Sequence, residues 1–242
     1  MRLNLNIRRA GSSVWFAKTP LWSKPMKGLV SPSQAMTALA GKRVLVVLHG
    51  YRNTEDSAEG AYSTLLNNFE SVAALPYDVI ILGFMPLSQC TLGFPFARMR
   101  AAKAGKRIAA ALLLARVACL DIQTHSLGGM VGLEALRAGL RCRNLIMSAP
   151  AVSNNALEPT SRYGPYLYRA KRIVVAHSIH DPVDWPYRFA SWDRMLGCSG
   201  PQEPGAIVDH AEAHDFSAFV TKHSGYKSCR EYFDLWLRVV SG

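Results

Sequence analysis

Short apolar runs alternate along this chain with longer stretches whose apolar residues recur at helical spacing. Residues 43–48, 77–84, 117–123, 144–148 and 171–177 are mostly apolar and bounded by charges, Gly or Pro, the pattern of strands buried on both faces. A shorter run at 206–209 reads as a further strand. Helices are predicted over 54–69, where Thr54 is a cap and acids fill the first turn, over the alanine-rich 98–116, over 127–138, which stops at Gly139, and over 185–196 and 226–240. Ahead of this series Leu3, Leu5 and Ile7 alternate; with residues 14–18 beyond a turn they predict an antiparallel hairpin at one edge of the sheet. Residues 19–40, with Pro20, Pro25 and Pro32, read as an irregular connection ending in a short helix, and 85–96 and 151–170 as loops. Alternation of strands and helices from residue 43 onward predicts an α/β fold, a mainly parallel central sheet with helices on both faces, as one domain over residues 1–242.

Composition fits that picture. At 242 residues and 49% apolar content, one large unit can bury a sizeable core. The longest apolar stretch, 108–120, is broken by Arg116 and falls short of the roughly 18 residues that cross a bilayer. Arg2, Arg8 and Arg9 have no apolar segment behind them, so no transmembrane or leader segment is expected and the location is read as cytoplasmic. Cys90, Cys119, Cys142, Cys198 and Cys229 are scattered without a C-x-x-C pair, which points to free thiols rather than a zinc site or a disulfide framework. The net charge of +11 is unevenly laid out: no acid precedes Glu55, and none stands between Arg98 and Arg116. Such a field either draws an anionic partner or is a solvated basic face. No basic and aromatic nucleic-acid motif accompanies it, so nucleic acid is not expected.

Chemistry concentrates at residues 121–130, D-I-Q-T-H-S-L-G-G-M. A buried-strand run feeds into Ser126 between small residues, and a helix pattern begins at once behind it. A strand–turn–helix of this kind puts one side chain at the apex of a tight bend. It is the nucleophile elbow G-x-S-x-G, with Thr124 where the first Gly usually stands. The competing reading is a chance serine at a helix cap, and the strand context argues against it. A serine hydroxyl needs an adjacent base, an acid behind that base, and donors for the oxyanion. His125 adjoins the nucleophile on too sharp a bend to be the base and reads as a packing residue.

With His49-Gly50-Tyr51 after one strand, T-H-S-L-G-G after a later one, H-D-P-V after another and histidines near the C-terminus, the chain from about residue 43 onward resembles the α/β-hydrolases. It is most similar to small bacterial serine esterase and lipase-like members. The resemblance implies Asp181 as the acid, with Asp184 as its rival. It places the base on the loop before the final helix, where His223 fits best, His214 is second, and His210 reads as a strand-end residue. It also implies backbone N–H donors at Tyr51 and Leu127 for the oxyanion hole. The chain order Ser126, Asp181, His223 is that of the α/β-hydrolases. No metal or organic cofactor is implied.

A cap in this fold most often follows the strand ending at Ser148. Only about twenty residues separate that strand from the next, too few for a substantial lid. The expected pocket is open, walled by Met85, Leu87, Phe94 and Phe96 with Tyr163 and Tyr166 opposite; Phe94 and Phe96 read equally well as core. The expected activity is that of a serine hydrolase cleaving a small-molecule carboxylic ester through an acyl-enzyme. An acyltransferase with the same triad, and a catalytically silent scaffold acting as a basic binding module, are the alternatives.

Overall fold

The computed structural model describes residues 2–6, 15–18, 29–30, 32–51, 55–84, 93–183, 187 and 193–242. Among the described residues nine strands lie in one sheet: β1 (Arg2–Asn6), β2 (Trp15–Lys18), β3 (Leu29–Val30), β4 (Arg43–Leu48), β5 (Val79–Phe84), β6 (Cys119–His125), β7 (Cys142–Ser148), β8 (Ala170–His177) and β9 (Ala211–Asp215). Their order is β3-β2-β1-β5-β4-β6-β7-β8-β9. Every pair from β1 to β9 across the sheet is parallel, and β2 runs antiparallel to both β1 and β3, giving the expected edge hairpin one further short strand.

Seven helices accompany the sheet among the described residues: α1 (Pro32–Leu39), α2 (Glu55–Glu70), α3 (Phe94–Leu113), α4 (Gly128–Arg137), α5 (Gly164–Leu167), α6 (Leu196–Ser199) and α7 (Arg230–Ser241). The alternation of side chains along each buried strand divides the core into two layers. Val44, Val46 and Leu48 of β4 face α3 and α4, whereas Leu45 and Val47 face α2 and α7. On the first face Ala97, Ala101 and Ala104 line the inner side of α3, small enough for it to lie close on α4. On the second, Phe69 of α2 meets Trp236 and Phe233 of α7 edge to face, with ring centroids 4.4 and 5.9 Å apart. No helix among the described residues is long and apolar enough to cross a membrane.

Several elements differ from the sequence reading. The last strand is β9 at Ala211–Asp215, not 206–209; residues Pro204–Ala206 form a 3-10 turn instead. Ile207 and Val208 supplied the apolar signal, but Val208 is a buried plug whose N–H bonds the Leu157 carbonyl at 3.1 Å. The true strand is a sheet edge and only half-buried, so its sequence A-E-A-H-D carries no apolar run. Helix α3 starts at Phe94, taking Phe94 and Phe96 out of the expected loop; Gly93 at φ 89° precedes it and Pro95 sits in its first turn. The closing helix starts at Arg230, behind a 3-10 turn at Gly225–Ser228. Most of the expected helix 185–196 lies outside the described residues. Between β7 and β8 only the four-residue α5 interrupts the loop, so no helical cap is inserted there.

Candidate active site

β6 ends at His125 and α4 begins at Gly128, so Ser126 and Leu127 alone turn the chain from strand to helix. Ser126 takes φ 56°, a left-handed conformation costing a non-glycine residue about 1–2 kcal/mol. Neighbouring backbone holds it there. The Ser126 N–H donates to the Ser148 carbonyl at 3.0 Å, and the Ser126 carbonyl accepts from Gly129 at 2.9 Å and Ala151 at 3.0 Å. Strain kept at one side chain by surrounding bonds is a mark of a functional site.

The loop behind β4 closes on this serine from the adjacent strand. A Cβ built on Gly50 would lie 2.6 Å from Ser126 Cβ and 3.0 Å from its Oγ, so only glycine admits this approach. The contact brings Gly50, one residue before Tyr51, against the Ser126 side chain, and Leu127 follows Ser126 in the chain. Leu127 is the N-cap residue of α4, and its N–H has no hydrogen-bond partner among the described residues. Both N–H groups proposed for an oxyanion thus stand on segments that meet at Ser126, with the positive end of α4 beneath them.

The candidate acid and base come from distant segments. Asp181 follows β8 and is 5% exposed; its Oδ1 accepts from the Val183 N–H at 3.0 Å. Its Oδ2 accepts from His223 Nδ1 at 2.6 Å, a charge-assisted geometry. Because a carboxylate can only accept, Nδ1 carries the proton and Nε2 keeps its lone pair free to take another. His223 is joined to the elbow through His125, whose Nε2–H donates to the His223 carbonyl at 2.8 Å and whose ring lies 4.7 Å from the His223 ring. Burial, then the neighbouring His223, pushes the His125 imidazole down to about 3, so it is neutral.

The other candidates fall elsewhere. His214 lies in β9 with its Nε2 3.2 Å from Glu212, and His210 Nε2 donates to the Leu167 carbonyl at 3.2 Å with its ring against Tyr168. Neither meets Asp181. Asp184, Met85 and Leu87 lie outside the described residues. Phe94 is half-buried and meets Tyr51 and Tyr187 edge to face at 5.8 and 5.6 Å, an aromatic ledge beside the oxyanion segment. Phe96 is 44% exposed on α3. Tyr163 is buried, its hydroxyl on Glu134 Oε1 at 3.2 Å, and Tyr166 stacks under Arg169. Phe94 and Tyr163 thus have different neighbours among the described residues. A cavity of about 270 Å³ lies on the α2 side, lined by His49, Tyr62, Gln123, His125, Ser224 and Lys227 among others. Among the described residues no cluster of three or more His, Cys, Asp or Glu could hold a metal ion, and no disulfide joins any two of Cys119, Cys142, Cys198 and Cys229.

The architecture is that of the α/β-hydrolase fold, and comparison with solved structures agrees. The chain superposes on lipase B of Aspergillus fumigatus with a TM-score of 0.53 at 11% identity, covering 85% of this chain and 54% of that one. It thus spans about half the length of that lipase. A CIB-like hydrolase from Thermoplasma acidophilum aligns with TM-score 0.43 and 16% identity over 82% of this chain and 85% of that one. A metagenome-derived lipolytic enzyme aligns with TM-score 0.44 and 14% identity over 84% and 94%. No protein-family model and no curated protein sequence matches the chain.

Proposed function

We propose that this chain is a serine hydrolase that cleaves a carboxylic ester by acyl transfer. The observation that carries the reading is the 2.6 Å contact of His223 Nδ1 with Asp181, on a loop tied through His125 to the strand-to-helix bend that holds Ser126 at φ 56°. The His223 ring, oriented by Asp181, takes the Ser126 proton on Nε2 as Oγ attacks the ester carbonyl carbon. The tetrahedral oxyanion is met by the N–H groups of Leu127 and Tyr51, each worth about 3 kcal/mol to the transition state. His223 then returns the proton to the departing alkoxide, leaving an acyl-Ser126 ester. Water repeats the sequence from the other side, losing its proton to His223 and releasing the carboxylic acid and free Ser126. The aromatic ledge of Tyr51, Phe94 and Tyr187 favours an apolar acyl or aromatic group beside the reacting carbonyl. The fold likeness to a lipase supports the same class of substrate.

A fluorophosphonate serine probe tests this directly. The expected result is one adduct, mapped to Ser126, absent in Ser126→Ala and strongly reduced in His223→Ala. Folded protein that takes no label, or takes it elsewhere, overturns the reading.

A further inference from the structure

His223 sits on an exposed turn between Val220, whose carbonyl accepts from Ser178 Oγ at 2.6 Å, and Lys227, whose carbonyl accepts from Asn68 at 2.8 Å. Thr221, Lys222 and Ser224 are exposed, and the turn closes on itself through the Gly225 N–H to the Lys222 carbonyl at 2.8 Å. Asp181 fixes one edge of the His223 ring but says little about where the backbone beneath it lies. Among the described residues, the strand side chain that reaches that backbone is His125, ninety-eight residues earlier, at the last position of β6.

We propose that His125 is a positioning residue for the reaction: it is a strut between the elbow and the loop that carries the base. The inference rests on the reading of Ser126 and His223 given above. His125 adjoins Ser126 covalently, so its ring shares the elbow's rigid frame. Its Nε2–H donates to the His223 carbonyl at 2.8 Å, fixing the height of that residue's backbone. Its ring lies 4.7 Å from the His223 ring at 53°, limiting how that imidazole can swing. With Asp181 on Nδ1, these contacts define His223 at backbone, ring plane and ring edge, leaving Nε2 as the free corner.

The residue type follows from this geometry. A flat ring alone would supply the contact but not the donor, and a lysine would supply a donor with a charge. A fixed positive charge there would oppose the imidazolium that His223 becomes during the reaction. His223, Asp181 and Lys227 act electrostatically on His125, and the titratable His49, Tyr62 and Tyr226 line the same cavity, so a neutral donor adds nothing against the developing cation. A displacement of about 1 Å at a reacting group costs about 10²-fold in rate, which sets the scale of the expected effect.

His125 also lines the 270 Å³ cavity on the α2 side, whose rim carries exposed Ser57 and Ser224. Removing its side chain therefore leaves a space that small molecules can reach. The test compares wild type, His125→Phe, His125→Gln and His125→Ala in the rate of Ser126 labelling by fluorophosphonate and in p-nitrophenyl acetate hydrolysis. The Phe variant is expected to lose about 10²-fold in kcat with KM nearly unchanged. The acid limb of its pH–rate profile should move to lower pH as His223 loosens from Asp181. Gln, with an amide donor at similar reach, is expected to recover most of the loss. In the Ala variant imidazole should restore labelling, whereas 1-methylimidazole, which lacks the N–H, should not.

Wild type that labels at Ser126 while a folded Phe variant labels equally fast, with an unmoved acid limb, overturns the inference and leaves the hydrolase reading intact. Wild type that does not label defeats the hydrolase reading itself. If the Phe variant does not fold, the Ala variant decides: equal response to the two imidazoles, or none, overturns the inference.

Discussion

Thr124 and Gly132 face each other where β6 passes under α4: a Cβ on Gly132 would lie 3.3 Å from Thr124 Cγ2 and 2.9 Å from Leu145 Cδ1. The elbow motif asks for a small residue at position 124, and this chain has a fully buried threonine there. Its methyl group occupies space that the helix yields one turn further along. Its hydroxyl is placed 3.4 Å from the Ile146 carbonyl, so the added polar atom is not stranded. The departure from the motif at one position is thus met by a glycine eight residues later.

Gly132→Ala should therefore destabilise the fold, although alanine is the better helix former by about 1 kcal/mol. Leu145 and Thr124 are both fully buried and have nowhere to retreat. Overpacking of this kind costs about 1–3 kcal/mol, enough to outweigh the helical gain. Pairing it with Thr124→Ala should return part of the loss, a coupling of at least about 0.5 kcal/mol in a urea double-mutant cycle. Strict additivity would mean that the two positions do not share the space.

Gly50→Ala separates activity from stability in the opposite sense. The new methyl would meet Ser126 Cβ at 2.6 Å and Oγ at 3.0 Å, so it must push the hydroxyl or the His49-Gly50-Tyr51 backbone aside. Either movement spoils alignment at the reacting carbonyl, and the expected fall in kcat/KM is at least about 10²-fold. The segment is at the rim of the sheet, so the urea midpoint should move far less than for Gly132→Ala. Unchanged esterase activity in this variant would show that the close approach is irrelevant to catalysis.

Local chemistry explains what the sequence disclosed and what it withheld. The strand of residues 119–125, the serine behind it and Asp181 after β8 are each announced within a few residues, by an apolar run and then small or turn-forming ones. The proposed base is not separable in this way. His210, His214 and His223 all stand in the right window, and only the fold shows that His214 turns to Glu212 while His223 reaches Asp181. The boundary errors have the same origin: β9 is polar because it is an edge, and the Ile207–Val208 pair imitates a strand while plugging a loop. His125 reads as a packing residue because its hydrogen-bond partner is ninety-eight positions away, a distance no local pattern can bridge.

At the far end of β6, Asp121 is fully buried and collects four donors: Arg143 Nε at 3.2 Å and its terminal nitrogen at 2.6 Å, the Tyr77 hydroxyl at 2.7 Å and the Asn144 N–H at 3.0 Å. Arg143 also donates to the Val240 carbonyl at 3.0 Å, tying α7 to the sheet. Asp121→Asn would leave the guanidinium, which is one-third exposed, without its counter-charge and weaken its charged hydrogen bonds, a loss of about 1–3 kcal/mol. Five residues of strand, about 16 Å, separate this cluster from Ser126. The folded fraction should thus take the fluorophosphonate label at the wild-type rate, while the chemical midpoint drops sharply. Slower labelling of fully folded variant would reveal coupling along the strand.

Acid should unfold the protein partly through His125. Burial and then the adjacent His223 push its imidazole down from 6.5 to about 3, with Lys227 acting in the same direction and Asp181 and the His223 carbonyl against it. Between those two values the unfolded chain takes up a proton that the folded chain refuses. Stability therefore falls as pH is lowered from 6.5 towards 3, and above 6.5 the group contributes no slope. One such proton gives at most about 1.4 kcal/mol per pH unit. Urea midpoints measured from pH 8 to pH 4 should fall more steeply for wild type than for His125→Gln below pH 6.5, and the two curves should run parallel above it. Parallel curves over the whole range would mean that the folded protein holds this imidazole as readily protonated as the unfolded chain does, contrary to a neutral donor buried against His223.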